Sequence, residues 1–228
     1  MGLRSRLKNR LSGLFSRPPA KGGAVVFDRA TAEIWQDLRE QYAHGWQSLA
    51  AAVVASWEVA AAELNAAIRH TNPRAPEFVT RFSDGLVPTL TPFQAAERGA
   101  ERSWNDGTRQ AIASGQLADA LPPLIDATRR IGSEVETAWP ATVAFLEPVL
   151  VAVNLSSERR QQLLGVGADL RDRLDKRAYV FAEAIKPLAT ATDVEGVFLD
   201  ALGDWRQGAA QDLEVGLDRV RALLVSTK

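Results

Sequence analysis

The stretch IWQDLREQYAHGWQSLAAAVVASWEVAAAELNAAI, residues 34–68, decides the fold. Its large apolar side chains fall at Ile34, Trp35, Leu38, Tyr42, Trp46, Leu49, Val53, Trp57, Leu64 and Ile68, the 3–4 residue spacing of one helical face. Trp35, Trp46 and Trp57 recur every eleven residues, close to three turns, so the indoles lie nearly above one another. With Phe27 added at the start, the pattern predicts one helix from about Asp28 to about His70, roughly 60 Å long. The stripe is expected to be core. Such a helix makes the molecule elongated.

Downstream, Asn72-Pro73 and Ala75-Pro76 stop the helix, and residues 77–90, with Gly85 and Pro88, read as irregular. Thr91-Pro92-Phe93-Gln94 predicts a new start: Thr91 as N-cap, proline at the first position, Gln94 closing a capping box. That helix ends near Ser114-Gly115. A third runs from about Leu117 to Val153, bent at Pro140 and Pro148. A break over Asn154–Ser157 precedes a fourth, from about Ser157 to Ala189. Thr192-Asp193-Val194-Glu195 reads as a second capping box, opening a last helix with Val194, Phe198, Leu202, Trp205, Leu213, Leu217, Val220 and Leu224. No run alternates with the period of a strand. The expected fold is therefore all-α: an elongated bundle of about five helices, three or four of them long, preceded by a basic amphipathic N-terminal helix. The expected divisions are residues 1–19 for that helix, 20–26 for a linker and 27–228 for the bundle.

Charge is divided just as unevenly. Residues 1–27 hold Arg4, Arg6, Lys8, Arg10, Arg17 and Lys21 and no acid, which leaves 21 basic and 28 acidic side chains in the rest of the chain. An acidic body argues against a nucleic-acid partner. The chain has no cysteine, which excludes disulfide and thiolate chemistry. The most apolar stretch, Trp139–Leu155, is shorter than a membrane span and carries Pro140, Glu147 and Pro148, so a buried, kinked helix is expected there.

Enzyme chemistry finds no foothold. Gln41 and Ala67, not glutamates, stand three residues before His44 and His70, so the paired Glu-x-x-His units of a di-iron bundle are missing. Glu40 and His44 are one turn apart and suit a surface hydrogen bond. Gly165-Val166-Gly167 lacks the strand-loop-helix setting of a phosphate loop. Arg171, Arg173, Lys176 and Arg177 interleave with Asp169, Asp172 and Asp175, as on a salt-bridged exposed face. No catalytic residue, metal or cofactor is expected, and the reading is of a protein that is not an enzyme.

The informative segment is the N-terminal arm. On a helical wheel Leu3, Leu7, Leu11, Leu14 and Phe15 span about 120°. Arg4 and Lys8 flank one margin of that face, and Arg6, Arg10 and Arg17 the other. Cations so placed extend apolar stems while keeping charge at lipid headgroups. Burying five large apolar side chains at about 1.5–3 kcal/mol each nearly offsets the ordering of the segment at about 1 kcal/mol per residue. Attraction to an anionic surface, about 1 kcal/mol per basic residue, then decides the outcome. The expectation is a cytoplasmic, peripheral membrane protein, homo-oligomeric, whose elongated bundle shapes or senses an anionic membrane surface. The competing expectation is a soluble interaction or self-assembly module whose arm docks a protein partner or serves as a targeting peptide.

Overall fold

The structure is a computed structural model, and it describes residues 23–70 and 72–225. Helix α1 spans Arg29–Ile68, α2 Ala75–Asp84 and α3 Leu86–Ser114. A 3-10 turn, Leu117–Ala120, leads into α4, Leu121–Phe145; then follow α5, Glu147–Ala152, and α6, Ser157–Ile185. A second 3-10 turn, Lys186–Ala189, precedes α7, Val194–Val225. Among the described residues there is no strand, only an isolated bridge between Val26 and Gln116. The protein is an all-α helical bundle.

The five long helices form a closed ring in which α1 packs on α3, α3 on α4, α4 on α6, α6 on α7 and α7 back on α1. Consecutive long helices run antiparallel. Trp35 near the start of α1 stacks on Trp104 late in α3, whereas Trp57, late in α1, stacks on Phe82 just before α3. Five is odd, so an up-and-down ring can close only through one parallel pair. That pair is α1 with α7: Trp46 meets Trp205 at 4.8 Å, and farther along both helices Glu63 meets Arg221 at 3.4 Å. At 1.5 Å per residue the 40 residues of α1 span about 60 Å.

The α1 stripe is core throughout: Trp35, Leu38, Tyr42, Trp46, Leu49, Val53, Trp57 and Leu64 are all buried. Asp28 caps the helix, its carboxylate accepting from Thr31 N. By length and composition α1 could also cross a membrane, the only described helix that could. Sequence reading placed the most apolar stretch at Trp139–Leu155 instead. The alanines of α1 raise its hydropathy, but its indoles face the bundle.

Residues 77–90 are helical rather than irregular. Pro76 sits in the first turn of α2, where a missing N–H costs nothing. Gly85 is right-handed, ends α2 and at once begins α3. It is glycine for reasons of space: a Cβ there would lie 2.7 Å from Leu146 Cδ2 and 3.1 Å from Trp57 Cζ2. Pro88 falls in the first turn of α3, again without penalty. Thr91 is accordingly no N-cap. Its hydroxyl donates to the Val87 carbonyl, and Pro92 lies inside a helix that continues past it.

The expected Leu117–Val153 helix starts with a 3-10 turn, Leu117–Ala120, and its α-helical part is broken at Leu146. Pro140 is accommodated inside α4, while α4 ends at Phe145 and Pro148 starts α5. Arg81 of α2 covers this end, donating to the Phe145 carbonyl at 3.1 Å with its guanidinium 3.8 Å over the Phe145 ring. The cap of α7 is Asp193, not Thr192: its carboxylate accepts from Gly196 N at 2.8 Å.

At the opposite end, the base, residues 25–27 cross between two turns. Val25 N donates to Ala189 O, Leu117 N to Val25 O, and Phe27 N to Gly115 O. The C-terminal part of the segment read as a linker is thus tied to the bundle.

Candidate functional site

The residues singled out for membrane contact, Leu3, Arg4, Arg6, Leu7, Lys8, Arg10, Leu11, Leu14, Phe15 and Arg17, lie outside the described residues. What the structure adds is a pair of grooves on either side of α3, with an aromatic cluster beneath them.

The cluster is built by the α1 stripe. Trp35 and Trp104 stack at 4.1 Å, and Phe198 of α7 meets both edge-on at 5.6 Å. Tyr42 lies 5.4 Å from Trp104, and Trp205 bridges Trp46 to Phe181. Into this apolar setting the fold inserts a few polar atoms. The Tyr42 hydroxyl lies 3.3 Å from Ser103 Oγ, and Ser103 donates to the Ala100 carbonyl. Burial pushes the Tyr42 phenol above its ordinary value, a shift opposed by Ser103, Trp46 and Thr128 and by the charge of Arg130. Trp35 donates to Thr108 Oγ1, Trp57 to Phe82 O and Trp139 to Leu163 O. Among the described residues the buried indole N–H groups of Trp46 and Trp104 lack a close hydrogen-bond acceptor, and the Trp46 side chain meets the Tyr42 hydroxyl only in a weaker donor contact.

The larger groove runs between α3 and α4 and encloses about 810 Å³. Small residues open it: Ala95, Ala96, Gly99 and Ala113 on α3 and Ala127 on α4. Trp46 and Ser103 lie at its floor; Arg102, Asp106, Arg109, Asp126, Arg130 and Glu134 line its walls. Asp106 is taken up by Arg109. The second groove, about 550 Å³ between α1 and α3, is lined by Asp37, Glu40, Glu101, Arg39 and Trp104. Arg39 is ion-paired to Glu101.

Charges elsewhere stitch helices together. The α6 cluster is a salt-bridged face as expected, with Arg171 meeting Asp175 of its own helix at 3.4 Å, and it also reaches across to its neighbours. Arg171 meets Glu136 of α4 at 2.7 Å, Arg177 meets Asp212 of α7 at 2.6 Å, and Asp169 pairs with Arg219. His44 bonds Gln47 at 3.0 Å rather than Glu40. Among the described residues no group of three or more histidines and carboxylates could hold a metal ion.

The class these features define is an all-α five-helix ring with polar clefts between its helices. Comparison with family models, curated proteins and solved structures gives no match to the chain.

Neither groove was legible in the sequence. Alanine and glycine at positions 95, 96, 99, 113 and 127 look like helix filler until the neighbouring helix is in place.

Proposed function

We propose that the protein is a non-enzymatic, peripheral membrane-binding scaffold of the cytoplasm, anchored by residues 2–17 and presenting its elongated bundle at an anionic surface. The observation that carries this reading is the arm's sequence: five large apolar residues on one helical face, basic residues at both margins and no acid before Asp28. Two features of the fold support it. Among the described residues the long helices close their apolar stripes on one another in a ring. The three backbone bonds of Val25 and Phe27 spread a load applied through the arm over both turns at the base.

Sedimentation with anionic liposomes at rising salt tests the proposal. The full chain is expected to bind weakly and to detach as salt screens the arm. A chain lacking residues 1–17 is expected to stay in the supernatant with unchanged thermal unfolding. Sedimentation of the truncated chain, or none by the full one, overturns the reading.

One observation favours a self-assembly reading beside it. Ala51, Ala55, Val59, Ala62 and Ala66 form an exposed stripe along the outer side of α1, suited to close helix contact with a second copy. Light scattering after size exclusion, with and without residues 1–17, separates the two: dimers that persist without the arm and without lipid favour this second reading.

A further inference from the structure

A third groove, about 290 Å³, runs between α6 and α7. Phe181 and Trp205, their rings 5.7 Å apart, underlie it. Ala184, Ala201 and Gly208 keep the side chains short there, and Val180, 54% exposed, stands on the α6 wall. Arg177 closes the end away from the base. Its guanidinium fits over Gly208, where a Cβ would lie 2.7 Å from Cζ, and Asp212 holds it at 2.6 Å. An apolar groove with an exposed valine at its lip is stabilised by any apolar group that covers it.

The chain enters the bundle beside this groove. Val25 N donates to Ala189 O, in the turn that leads from α6 to α7. The α6 wall, residues 177–184, lies within about 12 Å of the end of that helix. Phe15 is eight residue steps from Gly23, a reach of up to about 28 Å, so the arm's last apolar residues span the distance with chain to spare. Charge points the same way. From Pro187 to Trp205 the sequence holds Asp193, Glu195, Asp200 and Asp204 and no basic residue, whereas residues 1–27 hold only basic ones. Asp200 and Asp204 are exposed and have no ion-pair partner among the described residues. Asp204 lines the groove itself.

We propose that, away from a membrane, the α6–α7 groove holds the arm of its own chain: Leu14 and Phe15 cover Val180, Phe181 and Trp205, and Arg17 pairs with Asp204. A short tether keeps the segment at an effective concentration in the millimolar range, so two apolar side chains and one ion pair suffice. The inference rests on the membrane reading for its purpose, because docking withdraws part of the anchor's apolar face. An anionic surface then has to outcompete the groove, and the docked fraction lowers the apparent affinity for lipid in proportion.

The chain has no cysteine, so Ser16→Cys carries a single nitroxide. The full chain, free of lipid, is read by paramagnetic broadening of its backbone amides in ¹H–¹⁵N NMR. The amides of Ala184, Ala201 and Gly208 are expected to broaden, and those of α4 to stay sharp. Leu14→Ser/Phe15→Ser changes only the arm. Val180→Gln/Ala184→Gln puts polar amides in the groove without altering charge, and is expected to leave far-UV circular dichroism unchanged. Each pair is expected to lower the docked-to-free ratio by at least about tenfold. Groove amides that stay sharp, or broadening that survives both pairs, overturn the proposal. So does broadening of a ¹⁵N chain by a nitroxide on an admixed ¹⁴N chain, which assigns the groove to a second copy's arm. These readouts contain no lipid, so their failure leaves the anchor reading standing, and loss of liposome binding leaves the docked contact standing. With anionic liposomes, Val180→Gln/Ala184→Gln is expected to sediment at lower lipid concentration than the wild type; an unchanged requirement overturns the competition between groove and surface.

Discussion

Gly165 and Gly167 stand two residues apart on α6 and provide a matched test of how tightly the ring is packed. A Cβ added at Gly165 meets nothing within 4 Å. One added at Gly167 would lie 2.7 Å from Trp139 Cβ, 2.8 Å from Cγ and 2.9 Å from Cδ1. Trp139 cannot swing aside freely, because it is 2% exposed and its indole donates to Leu163 O at 2.8 Å. Relief therefore requires α4 and α6 to separate. Overpacking of this kind costs about 1–3 kcal/mol, against roughly 1 kcal/mol that alanine gains over glycine inside a helix. Gly167→Ala is expected to lose up to about 2 kcal/mol net, and Gly165→Ala to gain roughly 0.5–1 kcal/mol. In a domain of this size a separation of about 2 kcal/mol corresponds to some 4–8 °C in Tm. Urea unfolding followed by far-UV circular dichroism measures both variants, with unchanged m-values certifying that stability alone has moved. If the two substitutions shift the midpoint in the same direction and by similar amounts, the close α4–α6 approach is wrong.

Two further outcomes follow from individual side chains. Asp193→Ala is expected to cost about 1 kcal/mol by removing the α7 cap, while Thr192→Ala, measured in the same urea series, stays near wild type. The buried Tyr42 phenol titrates above its ordinary 10.0 in the folded chain. The unfolded state therefore releases its proton first, and stability present below pH 10.0 is lost as pH rises beyond it. Tyr42→Phe removes the ionisable group, so its alkaline unfolding, followed by tyrosinate absorbance and circular dichroism together, is expected to be shallower than that of the wild type.

The sequence carried the architecture because the strongest signal was periodic and long. Forty residues of α1 hold one stripe, and chance seldom produces that over eleven turns. Its failures came where proline or a capping motif was read locally. Thr91-Pro92-Phe93-Gln94 has the grammar of a helix start, yet α3 begins six residues earlier, because Gly85 stays right-handed and passes the chain directly from α2 into α3. Thr192 lost to Asp193 for a similar reason: either residue can cap, and tertiary position chose between them. The grooves were hidden because a cleft is made by what two helices omit, and only pairing reveals it. The charge cluster on α6 was visible, but its partners Glu136, Asp212 and Arg219 lie 35 or more residues away.

The parallel closure of α1 on α7 has a consequence for how the chain is made. The first long helix to leave the ribosome is the one whose Trp46 waits for Trp205, nearly 160 positions later. Until the final helix is synthesised, the indole-bearing side of α1 has no permanent cover. Nascent chains that stall or terminate before residue 194 would therefore present an aromatic surface to the cell, and these would be the forms that chaperones hold. Among the described residues the chain enters the bundle at the base, and α7 ends about 50 Å away, a rise of 1.5 Å for each of its 32 residues. A reporter fused beyond α7 would leave the base unobstructed.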